Sequence, residues 1–384
     1  MPVFDSRISQ ALEKRQQEEL TRHLFAFEKG NTTTIISKDR HYVNFSSNDY
    51  LGLAADPELA LAWQEGLDIY GCGSGASPLV TGFSHAHLKL EQALCDWLEY
   101  DRAILFSSGF SANQALLFSL MKKGDLLIQD KLNHASLMEA GSLCPATMKR
   151  FRHGDTAHLN TLFDEAASSL VVTEGVFSMD GDQSPLKQIE QACQNKAWLA
   201  VDDAHGIGVL GVDGRGSTFH QGIKPQILVV TFGKAFGLSG AAILCSEQVG
   251  DYLTQFSRHH VYSTAIPPAQ AHALHHSLTM IKTQHWRREK LDELQSAYSE
   301  KLQGIDGYID TQTPIKPLII GKTESALICA ELLRQKGFWA TAIRQPTVPK
   351  GQARIRITLT ANHTVAQVNS LCNSILYAME KVQQ

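Results

Sequence analysis

The sequence predicts an α/β protein: a mostly parallel central sheet sandwiched by helices, followed by a smaller α+β domain and preceded by one helix. Three observations lead there. Apolar runs of four to six residues recur between stretches of helical periodicity. These runs are continuous, as in strands buried on both faces. Beyond about residue 290 alternation replaces them, so the second unit has a different architecture. At 384 residues and 43% apolar content, the chain has the length to bury such a core and to divide into two or three units.

Taken in order, the segment from Ser6 to about Phe27 is charged, with Ile8, Leu12 and Leu20 loosely spaced, and predicts a largely solvated helix resting on a larger body. From Phe45, AILFSSG precedes SANQALLFSLMKKG, DLLIQD precedes ASLMEAGSL, and SLVVTEGV precedes LKQIEQACQ, while WLAVDDAHG and ILVVTFG add further strands. Strands separated by helices in this way form a largely parallel sheet. A long helix, PAQAHALHHSLTMIKTQHWRREKLDELQSAYSEKL, starts at Pro268 and leads to the second unit. There ARIRITLT alternates Ala353, Ile355, Ile357 and Leu359 with Arg354, Arg356, Thr358 and Thr360, which predicts a strand with one buried face. TVAQVNSLCNSILYAMEKV carries Val365, Val368, Leu371, Cys372, Ile375 and Met379 at helical spacing, and ESALICAELLRQKG and FWATAIR complete the unit. The expected divisions are 1–44, 45–285 and 286–384.

The net charge of -4 is spread along the chain without a basic block, which disfavours nucleic acid and charged membrane surfaces as partners. Seven scattered cysteines with no C-x-x-C pair suit reduced, buried thiols in a cytoplasmic protein. The N-terminus lacks an apolar core segment and no eighteen apolar residues run together, so neither secretion nor membrane spanning is expected. GIGVLG, Gly206 to Gly211, spells a dinucleotide fingerprint after the strand WLAVDD. That site needs a helix to begin at the glycines, whereas VDGRGST follows and predicts a turn or short hairpin. An NAD-dependent oxidoreductase is therefore a remote alternative.

The chemistry gathers at the C-terminal ends of the predicted strands, where open α/β sheets collect ligand-binding groups. Ser107 to Phe110 follow AILF, His134 follows LLIQD, Ser178 follows VVTEGVF, Asp202 and His205 follow WLAV, and Thr231 and Lys234 follow ILVV. Singly, each is explained by a cap, a turn or a solvated loop. Together they meet the needs of pyridoxal phosphate. Lys234 can condense with its aldehyde, and partial desolvation would make that amine nucleophilic near neutrality. Asp202 can keep the ring nitrogen protonated. His205 and Ser178 can reach the phenolic oxygen, and His134 can stack on the ring. Gly109 and Phe110 amides with the Thr231 hydroxyl can hold the phosphate. The small residues of TFGKAFGLSGAA are expected to leave room for a planar cofactor and a moving lysine. No metal is called for.

NFSSNDYLGL, GSGASPLVTGFSHAHLKLE, NHASL, TEGVFSMDGD, VDDAHGIGVLG, DGRGS and TFGKAFG together resemble the α-oxoamine synthases, a family of fold-type I pyridoxal-phosphate enzymes. The resemblance runs from the N-terminal helix to the C-terminal arginine strand. It implies the roles above for Lys234, His134, Asp202, His205 and Ser178. It adds Arg356 as ligand of the amino acid's carboxylate, a choice that parity alone leaves open to Arg354. It places Arg22 and Thr347 near the acyl substrate and Asn48 near the amino acid. It also implies a homodimer with active sites at the interface, where Thr264 in YSTAIPPA reaches the partner's phosphate. The branch most similar condenses L-alanine with a pimeloyl thioester, the carrier being coenzyme A or a carrier protein. Ser77, where glycine-using relatives tend to carry Thr, leaves room for alanine's methyl, while Pro78 departs from the family pattern. The alternative is another member of the family, using glycine or serine.

Overall fold

The computed structural model describes residues 3–383 other than Glu19 and Asn31. Its centre is a seven-stranded sheet in the order Arg102–Phe106, Ala241–Cys245, Ile227–Thr231, Trp198–Asp202, Ser169–Glu174, Leu126–Asp130, Thr147–Phe151. Ala241–Cys245 runs antiparallel to both its neighbours and the other adjacent pairs are parallel. Successive residues of each strand feed opposite faces. Ile227 and Val229 join one apolar cluster, whereas Leu228 and Val230 join the other. Burial on both faces is why the strands read as continuous apolar runs. The edge strand TMKRF escapes that reading for its polar composition, and AAILC follows ILVVT across a loop with no helix between them.

The second unit contains a three-stranded sheet, Ile315–Gly321, Ala353–Thr358, Thr341–Ile343, with Thr323–Gln335 and Val365–Gln383 as its helices. The hairpin Thr34–Ser37 and Arg40–Asn44 pairs in parallel with Phe338–Trp339, which ties residues 34–44 to this end of the chain. Among the described residues no helix is long and apolar enough to cross a membrane.

Four expectations need correction. The first helix covers only Val3–Gln17 and buries none of its residues in this chain, so it does not rest on the body. Its apolar positions are too few to pack. The long helix after Pro268 is two helices, Pro268–Thr283 and Trp286–Leu302. At the break the buried Arg287 donates to Gln284 Oε1 (2.7 Å), Leu51 O (2.7 Å) and Asp56 Oδ2 (2.6 Å), so its charge is paired where the chain turns. The strand Ala353–Thr358 is buried throughout, not on one face. Its arginine face meets the turn at residues 178–180, where carbonyls and Asp180 accept the guanidinium protons.

The fourth concerns GIGVLG, which lies in turns followed by a short 3-10 segment, Val212–Gly214, and a five-residue helix, Gly216–His220, rather than a hairpin. Its glycine serves a carboxylate, not a pyrophosphate. A Cβ on Gly206 would lie 2.0 Å from Ser217 Oγ and 2.2 Å from Asp203 Oδ1. Asp203 is fully buried, and Ser217 N donates to its Oδ2 (2.7 Å). Burial raises its pKa to about 7. The folded state then holds a proton that the unfolded state releases near 3.8, so stability from this group is full below 3.8 and is lost as pH rises towards 7. Asp203→Asn, which cannot ionise, is expected to unfold with a flatter pH dependence across that window in denaturant titrations.

Candidate active site

The predicted strand-end residues converge. Asn48, Ser108, Gly109, Phe110, Asn113, His134, Glu174, Asp202, His205, Thr231 and Lys234 all line one cavity of about 270 Å³ at the C-terminal ends of the parallel strands. Each is delivered by the element that ends there. The helix Gly109–Leu120 starts at the cavity with Ser108 as its cap, accepting from Ser111 N (3.1 Å). The amides of Gly109 and Phe110 lie in the first turn, where no intrahelical acceptor exists. Gly109 is required by packing, since a Cβ there would lie 2.5 Å from Thr231 Cγ2.

Lys234 follows the strand Ile227–Thr231, with Nζ 3.5 Å from Thr231 Oγ1. Burial lowers its pKa, partly offset by the carboxylates of Asp202 and Glu174. Asp202 Oδ2 accepts from Asn113 Nδ2 (2.7 Å) and Oδ1 from Ala204 N (3.1 Å). His205 Nδ1 pairs with the Tyr50 hydroxyl at 2.7 Å, and burial, with the cations Lys234 and Arg356 adding to it, holds its pKa well below the usual value. His134 does act as a helix cap, accepting from Ser136 N (3.3 Å) at Nδ1, yet its ring also faces the cavity. An accepting Nδ1 leaves the proton of the neutral ring on Nε2. Burial also lowers its pKa, so the neutral form is favoured.

The two arginines of the C-terminal strand are separated by their partners. Arg356 donates from Nε to Ser178 O (2.6 Å) and from NH2 to Asn48 Oδ1 (3.0 Å), beside the cavity. Arg354 pairs with Asp180. Other expected residues lie elsewhere. Ser178 and Thr347 line a separate cavity of about 250 Å³ with Arg354. Arg22 is exposed in the irregular segment after the first helix, Thr264 is exposed, and Ser77 precedes a helical turn at Pro78–Gly82. Ala265 N donates to Ala76 O (3.1 Å), which brings the Thr264 and Ser77 segments together.

Asn113, Tyr50 and Glu174 were missed from sequence. Glu174 ends an apolar strand, is buried, and accepts the His134 amide; burial raises its pKa well above the carboxylate range. A glutamate closing such a strand and an asparagine inside an apolar helix were the available signals. The glycines after Lys234 also have another reason. Gly237 has φ 71° and a Cβ there would lie 2.6 Å from Ala54 N, so it admits the neighbouring backbone instead of leaving space.

The family pattern described as aminotransferase class I and II matches residues 40–375. The chain is 64% identical over 382 residues to the 8-amino-7-oxononanoate synthase of Vibrio atlanticus, covering 99% of this chain and 95% of that one. The enzyme of the same name from Vibrio cholerae is 63% identical, with 98% of each chain covered. The chain belongs to the 8-amino-7-oxononanoate synthases. This family comprises pyridoxal-phosphate-dependent acyltransferases of biotin biosynthesis. A Francisella tularensis 8-amino-7-oxononanoate synthase superposes with a TM-score of 0.79 at 30% identity, covering 89% of this chain and 98% of that one. A serine palmitoyltransferase from S. paucimobilis, solved with a bound PLP-myriocin aldimine, superposes at 0.92 with 27% identity over 99% and 98% of the two chains. The architecture is therefore that of the fold-type I enzymes.

Proposed function

We propose that this chain condenses L-alanine with a pimeloyl thioester, releasing carbon dioxide and the thiol, with pyridoxal phosphate held in the cavity around Lys234. The observation that carries the reading is the gathering, around one cavity, of a half-buried amine, a buried carboxylate and an open helix N-terminus. The residues fit the cofactor. Thr231 and the amides of Gly109 and Phe110 form a cradle that any Cβ at residue 109 would fill. Asp202, its oxygens held by Asn113 and Ala204, presents a fixed negative charge. His205, held by Tyr50, is the partner for the phenolic oxygen, whereas Ser178 lines the other cavity and reaches this site only through the carbonyl that Arg356 holds.

Bound there, pyridoxal phosphate supplies an aldehyde for amines and a ring that takes up negative charge from the amino acid's Cα. The side chains do the rest. Arg356, fixed by Ser178 and Asn48, binds the amino acid's carboxylate as an ion pair. Lys234, its pKa lowered by burial, has more free amine near neutrality to accept the Cα proton and return it. His134 would stack on the ring and, with its proton on Nε2, could donate a hydrogen bond to the thioester oxygen as charge develops there. Arg22 and Thr347 contact the acyl group. In a homodimer the exposed Thr264 and the neighbouring Ser77 complete the partner's site, Thr264 at the phosphate and Ser77 beside the amino acid's side chain. Seven free cysteines, five of them buried, suit a cytoplasmic location.

Pimeloyl-coenzyme A and the pimeloyl carrier protein, each assayed with alanine, glycine and serine, test the reading. Turnover is expected with alanine, and the two thioesters identify the carrier. Preference for glycine or serine would sink the alanine assignment and the role of Ser77.

A further inference from the structure

The turn Phe177 to Asp182 carries Ser178 but is built with more charge than that serine needs. It is closed by Gly181 N to Phe177 O (2.8 Å) and Phe177 N to Asp182 O (3.0 Å). From the second unit, Arg356 donates to Ser178 O (2.6 Å), Arg354 to Met179 O (3.3 Å) and to Asp180, and Thr313 Oγ1 to Gly181 O (2.7 Å). From the large sheet a single side chain answers them. His153 bridges Asp130 Oδ1 (3.0 Å, Nδ1) and Asp182 Oδ2 (2.8 Å, Nε2). Its ring meets Phe177 edge-on at 4.4 Å.

Only the Asp130 end of this bridge is anchored independently of the imidazole. Asp130 is fully buried at the end of its strand and accepts from Leu132 N (2.8 Å) and Gly154 N (3.0 Å). Asp182 Oδ1 has no hydrogen-bond partner among the described residues, so the imidazole is what holds that carboxylate. An imidazole with a carboxylate on each nitrogen donates from both only when protonated. Burial opposes that charge, but the hydrogen bonds to Asp130 and Asp182 outweigh it and raise the pKa to about 10. The sheet thus grips the turn through an imidazolium, and the turn presents the Ser178 carbonyl to Arg356.

We infer that His153 is a positioning residue for the amino-acid carboxylate site: by fixing the Phe177 to Asp182 turn through Asp182, it sets the plane of the Arg356 guanidinium. The inference rests on the proposal that Arg356 binds that carboxylate. With Nε on Ser178 and NH2 on Asn48, the guanidinium follows any shift of the turn. Misplacement of a substrate-binding group by a fraction of an ångström weakens the substrate it holds more than substrates held elsewhere.

The test uses the holoenzyme without acyl thioester and reads L-alanine dissociation from the change in the cofactor's visible absorbance. His153→Gln is expected to raise the alanine Kd on the order of tenfold. In turnover, the KM for alanine should rise in parallel while the KM for the thioester stays constant. Asp182→Asn, which takes the charge from the other half of the bridge, is expected to weaken alanine in the same direction and serves if His153→Gln does not fold. Arg356→Lys separates the two ideas. If it weakens alanine and His153→Gln and Asp182→Asn do not, the positioning role is wrong while the Arg356 assignment stands. If Arg356→Lys leaves alanine binding unchanged, both are wrong. Added to Arg356→Lys, His153→Gln should weaken alanine little further; a full additional tenfold loss would show that His153 acts by another route.

Discussion

Lys234→Ala is expected to lose at least about 10³-fold in turnover, because one side chain supplies both the covalent anchor and the proton acceptor, and general-base contributions alone span about 10²–10⁴. The amine is placed for both. It sits at the end of the strand Ile227–Thr231, next to the Thr231 hydroxyl and within the field of Asp202. Among the described residues no other lysine lines this cavity. Cofactor should still bind noncovalently, since the Gly109 and Phe110 amides, Thr231 and Asp202 are untouched. Borohydride followed by mass spectrometry should therefore fix cofactor to wild type and not to the variant. Equal labelling of both would place the covalent linkage elsewhere and overturn the assignment.

Asp202→Asn is expected to be the next most damaging change. A carboxylate near a ring nitrogen shifts its pKa by about one to three units, so neutralising it costs roughly 10- to 10³-fold in the protonated population. The local bonding adds to the loss. Asp202 accepts from both Asn113 Nδ2 and Ala204 N, and an asparagine amide can replace only one of those two acceptors, leaving two donors facing each other on the other side. The measurement is kcat/KM for alanine together with the visible spectrum of bound cofactor against pH. Unchanged values in both would remove Asp202 from the role proposed here. Asn113→Ala, which frees the carboxylate without neutralising it, should be milder.

Much of the site was legible in the sequence for a single reason. In a parallel sheet covered on both faces, a continuous apolar run ends where the strand leaves the core, so the next polar residues fall at one edge. That placed His134, Asp202, His205, Thr231 and Lys234 together, as they are. The supporting set was not legible. Tyr50 comes from a loop 155 residues ahead of His205, and Asn113 pins Asp202 from 89 residues away. Such pairs leave no periodic trace. Alternation in ARIRITLT suggested a solvated arginine face because sequence cannot register that the opposing surface comes from residues 178–180.

By itself the sequence determined the parallel sheet, the helices that cover it and the identity of the groups at its edge, since these follow from local periodicity and chain order. The tertiary structure decided which groups meet. It broke the long helix at Gln284, set Arg356 beside Asn48 while pairing Arg354 with Asp180, and placed Gly206 of GIGVLG against a buried carboxylate. Those outcomes depend on burial and on hydrogen bonds between distant segments, where an unpaired charge is costly and only the assembled fold supplies the partner.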